Sequence, residues 1–158
     1  MPEIAKAVLA LDVDGVLNEF SWDAGGHIGP WAKAECVEQL DRIVVEAGCD
    51  IVLVSTWRSL VNNGLMTPRG FGALLMTHGM KEAHRLVGVT ARGRLADRGE
   101  QVRAWWRANP QYDRLVALDD MNLGYDDWGI KLVQTDGRVG LTAADADRAI
   151  AILRGEQP

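Results

Sequence analysis

The stretch Ala7–Leu17, AVLALDVDGVL, decides the fold of this chain. Its apolar run predicts a buried strand over residues 7–12 that ends at Asp12, and Asp14 follows two residues later. Strand alternation places the two carboxylates on the same side, and Gly15 lets the chain turn after them. Buried carboxylates are costly unless their charge is used. The pair therefore indicates a site for a hard cation or for phosphoryl transfer. The alternative interpretation is structural, with the two residues forming a helix cap or an Asx turn.

The rest of the chain alternates apolar strands with amphipathic helical stretches, the pattern of a parallel sheet covered on both faces. It predicts an α/β fold, a Rossmann-like three-layer sandwich with a mostly parallel five-stranded sheet. The predicted strands cover residues 7–12, 50–54, 86–89, 114–118 and 131–134. The predicted helices cover residues 32–47, 72–77, 98–109 and 142–153. We expect one domain over residues 1–158.

Composition and charge limit the classes of protein that fit the sequence. No apolar run approaches the ~20 residues that cross a membrane, and the start MPEIAKAV is unlike a signal peptide, so we expect a cytoplasmic protein. The net charge of −5 argues against a protein that coats nucleic acid. Residues 81–114 nevertheless carry eight Lys and Arg against four Asp and Glu, which suits an anionic substrate or, alternatively, a solvated helix face. Cys36 and Cys49 lack metal-site spacing.

Five polar residues are predicted at the carboxyl ends of strands, where ligands bind in open parallel sheets. They are Asp12, Asp14, Ser55, Asp119 and Asp120. Phosphoryl transfer needs a nucleophile, a proton donor and neutralisation of charge. Asp12 is the candidate nucleophile, and Asp14 is the candidate that protonates the leaving oxygen and then activates water. Asp119 and Asp120 are candidates to complete a Mg²⁺ site.

Residues 12–17 read D-x-D-G-x-L after a hydrophobic strand, which resembles the first motif of the haloacid dehalogenase (HAD) superfamily. The resemblance extends over residues 8–153. It implies that Asp12 attacks phosphorus and forms an aspartyl-phosphate. It also implies that Asp14 is the general acid/base and that its backbone carbonyl ligates the metal.

The second and fourth motifs of the superfamily have matches as well. Ser55 matches the Ser or Thr that hydrogen-bonds the phosphoryl group, with Thr56 as a rival for that role. Asp119 and Asp120 match the acidic fourth motif, which implies metal ligation, and we favour Asp119 for direct contact. The alternative for Ser55 is a turn hydroxyl at a strand end.

The third motif is usually a lysine at the start of the helix before the fourth strand, and Arg98 stands at that position here. Arginine keeps the positive charge and binds phosphate in a fork. Because the residue type departs from the pattern, Arg94, Arg92 and Lys81 are alternative candidates for the third-motif cation. If one of them fills that role, Arg98 is a surface arginine.

The sequence Ser-Thr-Trp-Arg at residues 55–58 resembles a small HAD subset similar to domains of RNA-repair proteins, in which a Trp follows the second motif. Trp57 is a candidate for substrate binding by stacking on a base, or for core packing. Arg58 is a candidate for contact with phosphate.

Residues 18–32 form the predicted flap, a Gly-rich loop or short hairpin that borders the substrate in HAD enzymes. Trp22 and Trp31 either offer a stacking surface for a nucleobase or pin the loop to the core. His27 is interpreted as a loop histidine rather than a metal ligand. The segments between motifs are too short for a large cap domain, so the chain resembles a capless or minimally capped HAD protein.

The resulting hypothesis is a Mg²⁺-dependent phosphomonoester hydrolase that acts through an aspartyl-phosphate on Asp12. Its expected partner is a phosphorylated small molecule or nucleotide, with a nucleic-acid end as a further candidate, and no protein partner can be inferred. A 3′- or 5′-phosphatase of nucleic-acid ends is the first alternative. A receiver-like phospho-acceptor domain, or a non-catalytic HAD domain, is the alternative from another class.

Overall fold

The computed structural model describes residues 6–156. Its strands are β1 Lys6–Leu11, β2 Glu19–Ser21, β3 Gly26–Ile28, β4 Cys49–Leu53, β5 Leu86–Val89, β6 Tyr112–Asp119 and β7 Lys131–Gln134. Its α-helices are α1 Ala34–Ala47, α2 Arg58–Asn62, α3 Pro68–Met76, α4 Arg98–Ala108 and α5 Ala143–Leu153.

Five of the strands form a parallel sheet in the order β5-β4-β1-β6-β7, with β1 at its centre. Alternation along β1 sends Leu9 and Leu11 into a core shared with α1, α3 and α5. Val8 and Ala10 point to the opposite face, where they pack in a core that includes Val102 of α4. The sheet is therefore covered on both faces, and the predicted three-layer α/β fold is confirmed.

The helices begin and end where their sequence dictates. Helix α1 buries a stripe that includes Cys36, Leu40 and Ile43, and Gly48 ends it in the left-handed conformation at φ 63°. Thr67 caps α3 by accepting a hydrogen bond from the Gly70 backbone N–H at 2.9 Å, and a proline occupies the first turn. That cap explains why the helix predicted at 72–77 begins earlier, at residue 68.

Other boundaries differ modestly from the sequence-based expectation. Helix α1 begins two residues later than predicted, and β6 extends beyond the predicted 114–118 at both ends. The five-residue helix α2 was not predicted. Residues 18–32 contain the antiparallel hairpin β2–β3. A hydrogen bond from Phe20 N–H to the Gly137 carbonyl, at 2.7 Å, joins this hairpin to the loop after β7.

Hydrogen bonds beyond the strand ends hold the candidate site together. Asp12 N–H donates to the Leu118 carbonyl at 3.0 Å, and Val54 N–H donates to the Leu11 carbonyl at 2.9 Å. Thr135 N–H likewise donates to the Asp119 carbonyl at 3.0 Å. The residues that follow β1, β4, β6 and β7 are thereby placed side by side at one edge of the sheet. Among the described residues, no helix is long and apolar enough to cross a membrane.

Candidate active site

Asp12 lies at the centre of this edge and is only 3% exposed. Arg98, equally buried at the start of α4, places its Nη1 atom 3.3 Å from Asp12 Oδ1 and 2.7 Å from Asp119 Oδ2. One guanidinium thus joins the strand-end carboxylates of β1 and β6. Burying these charges is tolerable only because they are paired with one another.

Asp119 is fully buried, and both of its carboxylate oxygens accept hydrogen bonds from the protein. Oδ2 accepts from Arg98 and from the Tyr125 hydroxyl at 2.6 Å, and Oδ1 accepts from the Met121 backbone N–H at 3.0 Å. The Asp119 carboxylate therefore serves as an acceptor for three protein groups beneath the site.

Asp120 is half-buried and faces the site from the other side. A Cβ on Gly15 would lie 2.4 Å from Asp120 Oδ2, and a Cβ on Gly137 would lie 2.9 Å from the same atom. Gly15 also has a φ of +78°, a conformation that favours glycine. Two glycines thus make room for this carboxylate. Burial, followed by the nearby Asp119 charge, raises the pKa of Asp120 to about 6.

The carboxylates of Asp12, Asp119 and Asp120 each place an oxygen within 4.8 Å of the others. Burial, and then repulsion from Asp119, raises the pKa of Asp12 well above its ordinary value, while Arg98 opposes the rise. Three carboxylates close to a single bridging guanidinium leave an excess of negative charge. A divalent cation with a preference for oxygen ligands, such as Mg²⁺, fits the charge of this cluster, in which Asp12 and Asp120 line the cavity and Asp119 accepts hydrogen bonds from the protein.

Asp14 is held through one oxygen by contacts from three separate segments. His27 Nε2 lies 2.6 Å from Asp14 Oδ1, Trp57 Nε1–H donates to the same oxygen at 3.0 Å, and Asn18 Nδ2–H donates to it at 3.2 Å. The other oxygen, Oδ2, accepts no hydrogen bond from the residues that the structure describes. The side chain is therefore oriented with one oxygen fixed and one available.

The turn that carries Asp14 is fixed from two sides. Gly15 N–H donates to Asn18 Oδ1 at 2.9 Å, and Asn18 Nδ2–H also donates to the Trp31 carbonyl at 2.8 Å. Thr135, which follows β7, donates its hydroxyl to the Gly15 carbonyl at 2.7 Å. The backbone after β1 therefore has little freedom to move relative to the sheet.

Residues 55–58 lie directly after β4, beside β1. Ser55 is fully buried, and its hydroxyl oxygen accepts from the Trp57 backbone N–H at 3.3 Å. Thr56 is exposed. Arg58 is 5% exposed and donates to the Val54 carbonyl. Burial, and then the Arg98 charge, lowers the pKa of Arg58.

A cavity of about 90 Å³ opens above the carboxylates. Trp22 stands at its rim, 71% exposed, with an edge-on contact to Phe20 at a ring distance of 4.9 Å. Trp31 does not reach the rim, because it packs against Trp57 at 5.0 Å and against His78 at 4.6 Å. The residues that line the cavity are Asp12, Asp14, Phe20, Trp22, Thr56, Leu95, Arg98, Asp120 and Met121.

Most of the residues singled out in the sequence therefore lie at one place. Six of them line the cavity, namely Asp12, Asp14, Trp22, Thr56, Arg98 and Asp120. Of the basic alternatives to Arg98, Arg94 instead pairs with Asp97 at 2.9 Å. Lys81 borders a different cavity beside α1, and Arg92 binds Asn63.

Four site residues were missed or read differently from the sequence. His27, interpreted as a loop histidine, lies in β3 in contact with Asp14. Asn18 and Thr135 are buried polar residues at the ends of apolar runs, and the strand-end rule that selected Ser55 would also select Thr135. Tyr125 gave no local signal, because its hydroxyl meets Asp119 only through the loop after β6.

A family model described as the HAD domain in Swiss Army Knife RNA repair proteins matches residues 8–146. The matched span contains all the site residues described above. No curated protein and no solved structure matches the chain. The chain belongs to the HAD superfamily, in the family of HAD domains of Swiss Army Knife RNA repair proteins.

Proposed function

We propose that this protein is a Mg²⁺-dependent phosphomonoester hydrolase that acts through an aspartyl-phosphate. The observation that carries the proposal is the arrangement around Asp12. Its carboxylate lies at the floor of a cavity, next to a buried arginine, and a second, oriented carboxylate on Asp14 lines the same cavity. Membership of a HAD family related to RNA repair supports the same reaction class.

Asp12 is the proposed nucleophile. Its carboxylate oxygen attacks phosphorus, the bond from phosphorus to the ester oxygen breaks, and the departing alkoxide takes a proton from Asp14. Asp14, now ionised, removes a proton from a water molecule. The resulting hydroxide attacks the phosphorus of the aspartyl-phosphate, the bond to Asp12 breaks, and inorganic phosphate leaves.

The hydrogen bonds on Asp14 suit this proton shuttle. His27, Trp57 and Asn18 all engage Oδ1, so Oδ2 is the oxygen that we assign to proton transfer. Three contacts to Oδ1 restrict rotation of the carboxyl group and keep Oδ2 in one orientation. Such preorganisation lowers the cost of reaching the productive geometry.

The metal would be held by Asp12, by Asp120 and by the backbone carbonyl of Asp14. We assign direct contact with the metal to Asp120 rather than Asp119. Asp120 lines the cavity, whereas both carboxylate oxygens of Asp119 accept hydrogen bonds from protein groups. When bound, Mg²⁺ neutralises the charge of the phosphoryl oxygens and of the facing carboxylates. Arg98 then fixes Asp12 from below and adds positive charge beside the reacting phosphorus.

Substrate contacts are proposed for the residues after β4 and for the hairpin. Thr56 is exposed and lines the cavity, whereas Ser55 is fully buried, so we favour Thr56 as the hydroxyl that contacts a phosphoryl oxygen. Trp22 offers an exposed indole at the rim for an apolar or aromatic leaving group. A cytoplasmic location stays a prediction.

A phosphatase of nucleic-acid ends is the second candidate function. Trp22 favours it, because an exposed indole beside the phosphate site can stack on the base of a terminal nucleotide. The printed description of the family, which names RNA repair proteins, favours it as well.

The test is release of inorganic phosphate from a panel of phosphomonoesters, including mononucleotides and oligonucleotides phosphorylated at the 3′ or 5′ end. Each assay is run with Mg²⁺ and with EDTA. We expect repeated turnover with Mg²⁺ that Asp12→Asn abolishes, while Asp113→Asn, an exposed carboxylate at the start of β6, retains it.

Other outcomes would replace the proposal. Uptake of a single phosphoryl group without further turnover would indicate a receiver-like phospho-acceptor. The absence of both turnover and phosphorylation, in a folded protein, would indicate a non-catalytic HAD domain.

A further inference from the structure

Next to the active site, two arginines have no carboxylate oxygen within 4.0 Å in the part of the chain that the structure describes. Arg58 is buried, at 5% exposed, yet no carboxylate oxygen of the described residues lies within 4.0 Å of it, whereas Arg98 has two such partners. Its guanidinium donates to the Val54 carbonyl, which is a neutral group. A buried cation without a counter-charge is costly unless an anion joins it.

Arg58 and Arg92 border the same cavity. This second cavity, of about 220 Å³, is lined by Thr56, Arg58, Arg92 and Gly93. Arg92 is exposed and bonds the side-chain oxygen of Asn63, and within residues 6–156 it too has no carboxylate within 4.0 Å. Two arginines and a threonine therefore border this cavity, and their side chains carry the kinds of donor that bind an oxyanion.

The two cavities share one wall. Thr56 lines the cavity above Asp12 and also lines the cavity at Arg58 and Arg92. A group bound in the second cavity would thus lie one side chain away from a phosphoryl group bound over Asp12. Two phosphates of one substrate would need such adjoining cavities.

We propose that the cavity at Arg58 and Arg92 binds a second phosphate of the substrate, adjacent to the phosphate that is hydrolysed at Asp12. This inference rests on the proposed phosphatase function. The second phosphate is either the phosphodiester next to the terminal phosphate of a nucleic-acid strand or the other phosphate of a small bisphosphate. In both cases the substrate class is a phosphomonoester with a neighbouring phosphate.

The test compares Arg92→Gln with Arg107→Gln, an exposed arginine in the last turn of α4 that removes the same charge away from the site. The substrates are p-nitrophenyl phosphate, a nucleoside 3′,5′-bisphosphate, and a trinucleotide with one terminal phosphate. The measured quantity is kcat/KM for each two-phosphate substrate divided by kcat/KM for p-nitrophenyl phosphate.

Arg92→Gln is expected to lower this ratio about tenfold, the effect of losing one charge-assisted hydrogen bond, while Arg107→Gln leaves it unchanged. Arg58→Lys keeps the positive charge but removes the paired N–H donors of the guanidinium, and we expect it to lower the same ratio. A drop only for the trinucleotide identifies a phosphodiester, and a drop only for the bisphosphate identifies a small molecule. Equal ratios in Arg92→Gln and Arg107→Gln would overturn the proposal.

A binding measurement separates this inference from the proposed function. In the Asp12→Asn background, calorimetry gives the affinity for the phosphorylated trinucleotide and for the bisphosphate without turnover. If wild type hydrolyses no ester while the Arg92→Gln change still weakens binding about tenfold, that result supports phosphate binding in the cavity at Arg58 and Arg92 and refutes the phosphatase proposal. If wild type hydrolyses esters and neither binding nor the ratio responds to Arg92→Gln, the subsite proposal fails alone.

Discussion

Replacing Trp57 with Phe tests whether the hydrogen bonds on Asp14 Oδ1 position this carboxylate for proton transfer. The change removes the indole N–H that donates to Oδ1 at 3.0 Å and keeps an aromatic ring against Trp31. A hydrogen bond to a charged group contributes roughly 1.5–3 kcal/mol. His27 and Asn18 still engage the same oxygen, so the lower end applies, and about 1.4 kcal/mol corresponds to a tenfold loss of kcat.

The assay uses leaving groups that differ in their need for a proton. p-Nitrophenolate leaves without one, so phosphorylation of Asp12 is expected to stay fast in Trp57→Phe. In the proposed mechanism, hydrolysis of the aspartyl-phosphate still needs Asp14 to remove a proton from water. We therefore expect a burst of nitrophenolate, followed by turnover at about one tenth of the wild-type rate. An alkyl phosphate needs Asp14 already in the first step and should show slow turnover without a burst.

Trp106→Phe is the matched control. It also removes one indole hydrogen bond, from Trp106 Nε1–H to the Tyr112 carbonyl at 2.7 Å, but at the amino end of β6, away from the site. If both variants are folded and have the same kcat on both substrates, the hydrogen bond to Asp14 has no positioning role. A loss for Trp57→Phe that is confined to KM would refute the reasoning equally.

Three further predictions follow from contacts and burial around the sheet edge and in the core. Gly15→Ala should abolish phosphate release and lower the melting temperature, because its Cβ would lie 2.4 Å from Asp120 Oδ2. Gly25→Ala is the control: its φ is +83° but its Cβ would meet open space, so it should cost only about 1–2 kcal/mol of backbone strain. Equal losses of melting temperature and of phosphate release in the two variants would contradict this prediction. The pKa of Asp120, raised from 3.8 to about 6 by burial and by Asp119, means that the folded state retains a proton that the unfolded state releases. The contribution of Asp120 to the free energy of unfolding in EDTA should therefore fall as the pH rises from 3.8 through about 6. The difference in free energy of unfolding between wild type and Asp120→Asn isolates this contribution, and a difference that rises over this range would contradict the assignment. Burial raises the pKa of the Cys49 thiol to about 12, so a thiol-reactive disulfide should label it at pH 8 only after unfolding, and rapid labelling of the native protein would show that the thiol is accessible.

The sheet and the strand-end carboxylates could be predicted because both depend on local pattern. An apolar run such as residues 8–11 is buried in any parallel sheet, and the chain must leave the sheet where the run ends. The polar residues at those ends then meet at one edge, whatever helices lie between them. For this reason Asp12, Asp119 and Asp120 could be grouped before any contact was known.

The hairpin contact with Asp14 could not be predicted in the same way. Residues 19–28 hold only a short polar–apolar alternation, and Gly25 and Gly26 interrupt it, so the pattern does not fix how a hairpin would pair. The register that pairs Phe20 with His27 is set by the turn and by docking on Gly137, not by an amphipathic pattern. A histidine in such a segment looks like an ordinary loop residue until the hairpin is placed.

Our proposed choice of Asp120 over Asp119 for the metal depends on partners that the motif does not contain. Both residues stand at the end of the same apolar strand, and the sequence alone favoured Asp119 for the metal. Tyr125 and Arg98 converge on Asp119 from a later loop and from α4, respectively. Those contacts engage its oxygens and leave Asp120 facing the cavity, which a strand-end pattern cannot reveal.

The net charge of the chain does not oppose a nucleic-acid substrate once the location of its charges is considered. A protein that coats nucleic acid must neutralise many phosphates, whereas an enzyme that acts on an end contacts few. Arg58, Arg92 and Arg98 lie at the two adjoining cavities, although the whole chain carries −5. With two phosphates neutralised on a single strand, log Kd should change with log salt by a slope of roughly 1.4. A slope near zero would exclude a phosphate-based contact with oligonucleotides, and a slope above about 4 would require an extended interface that these arginines cannot supply.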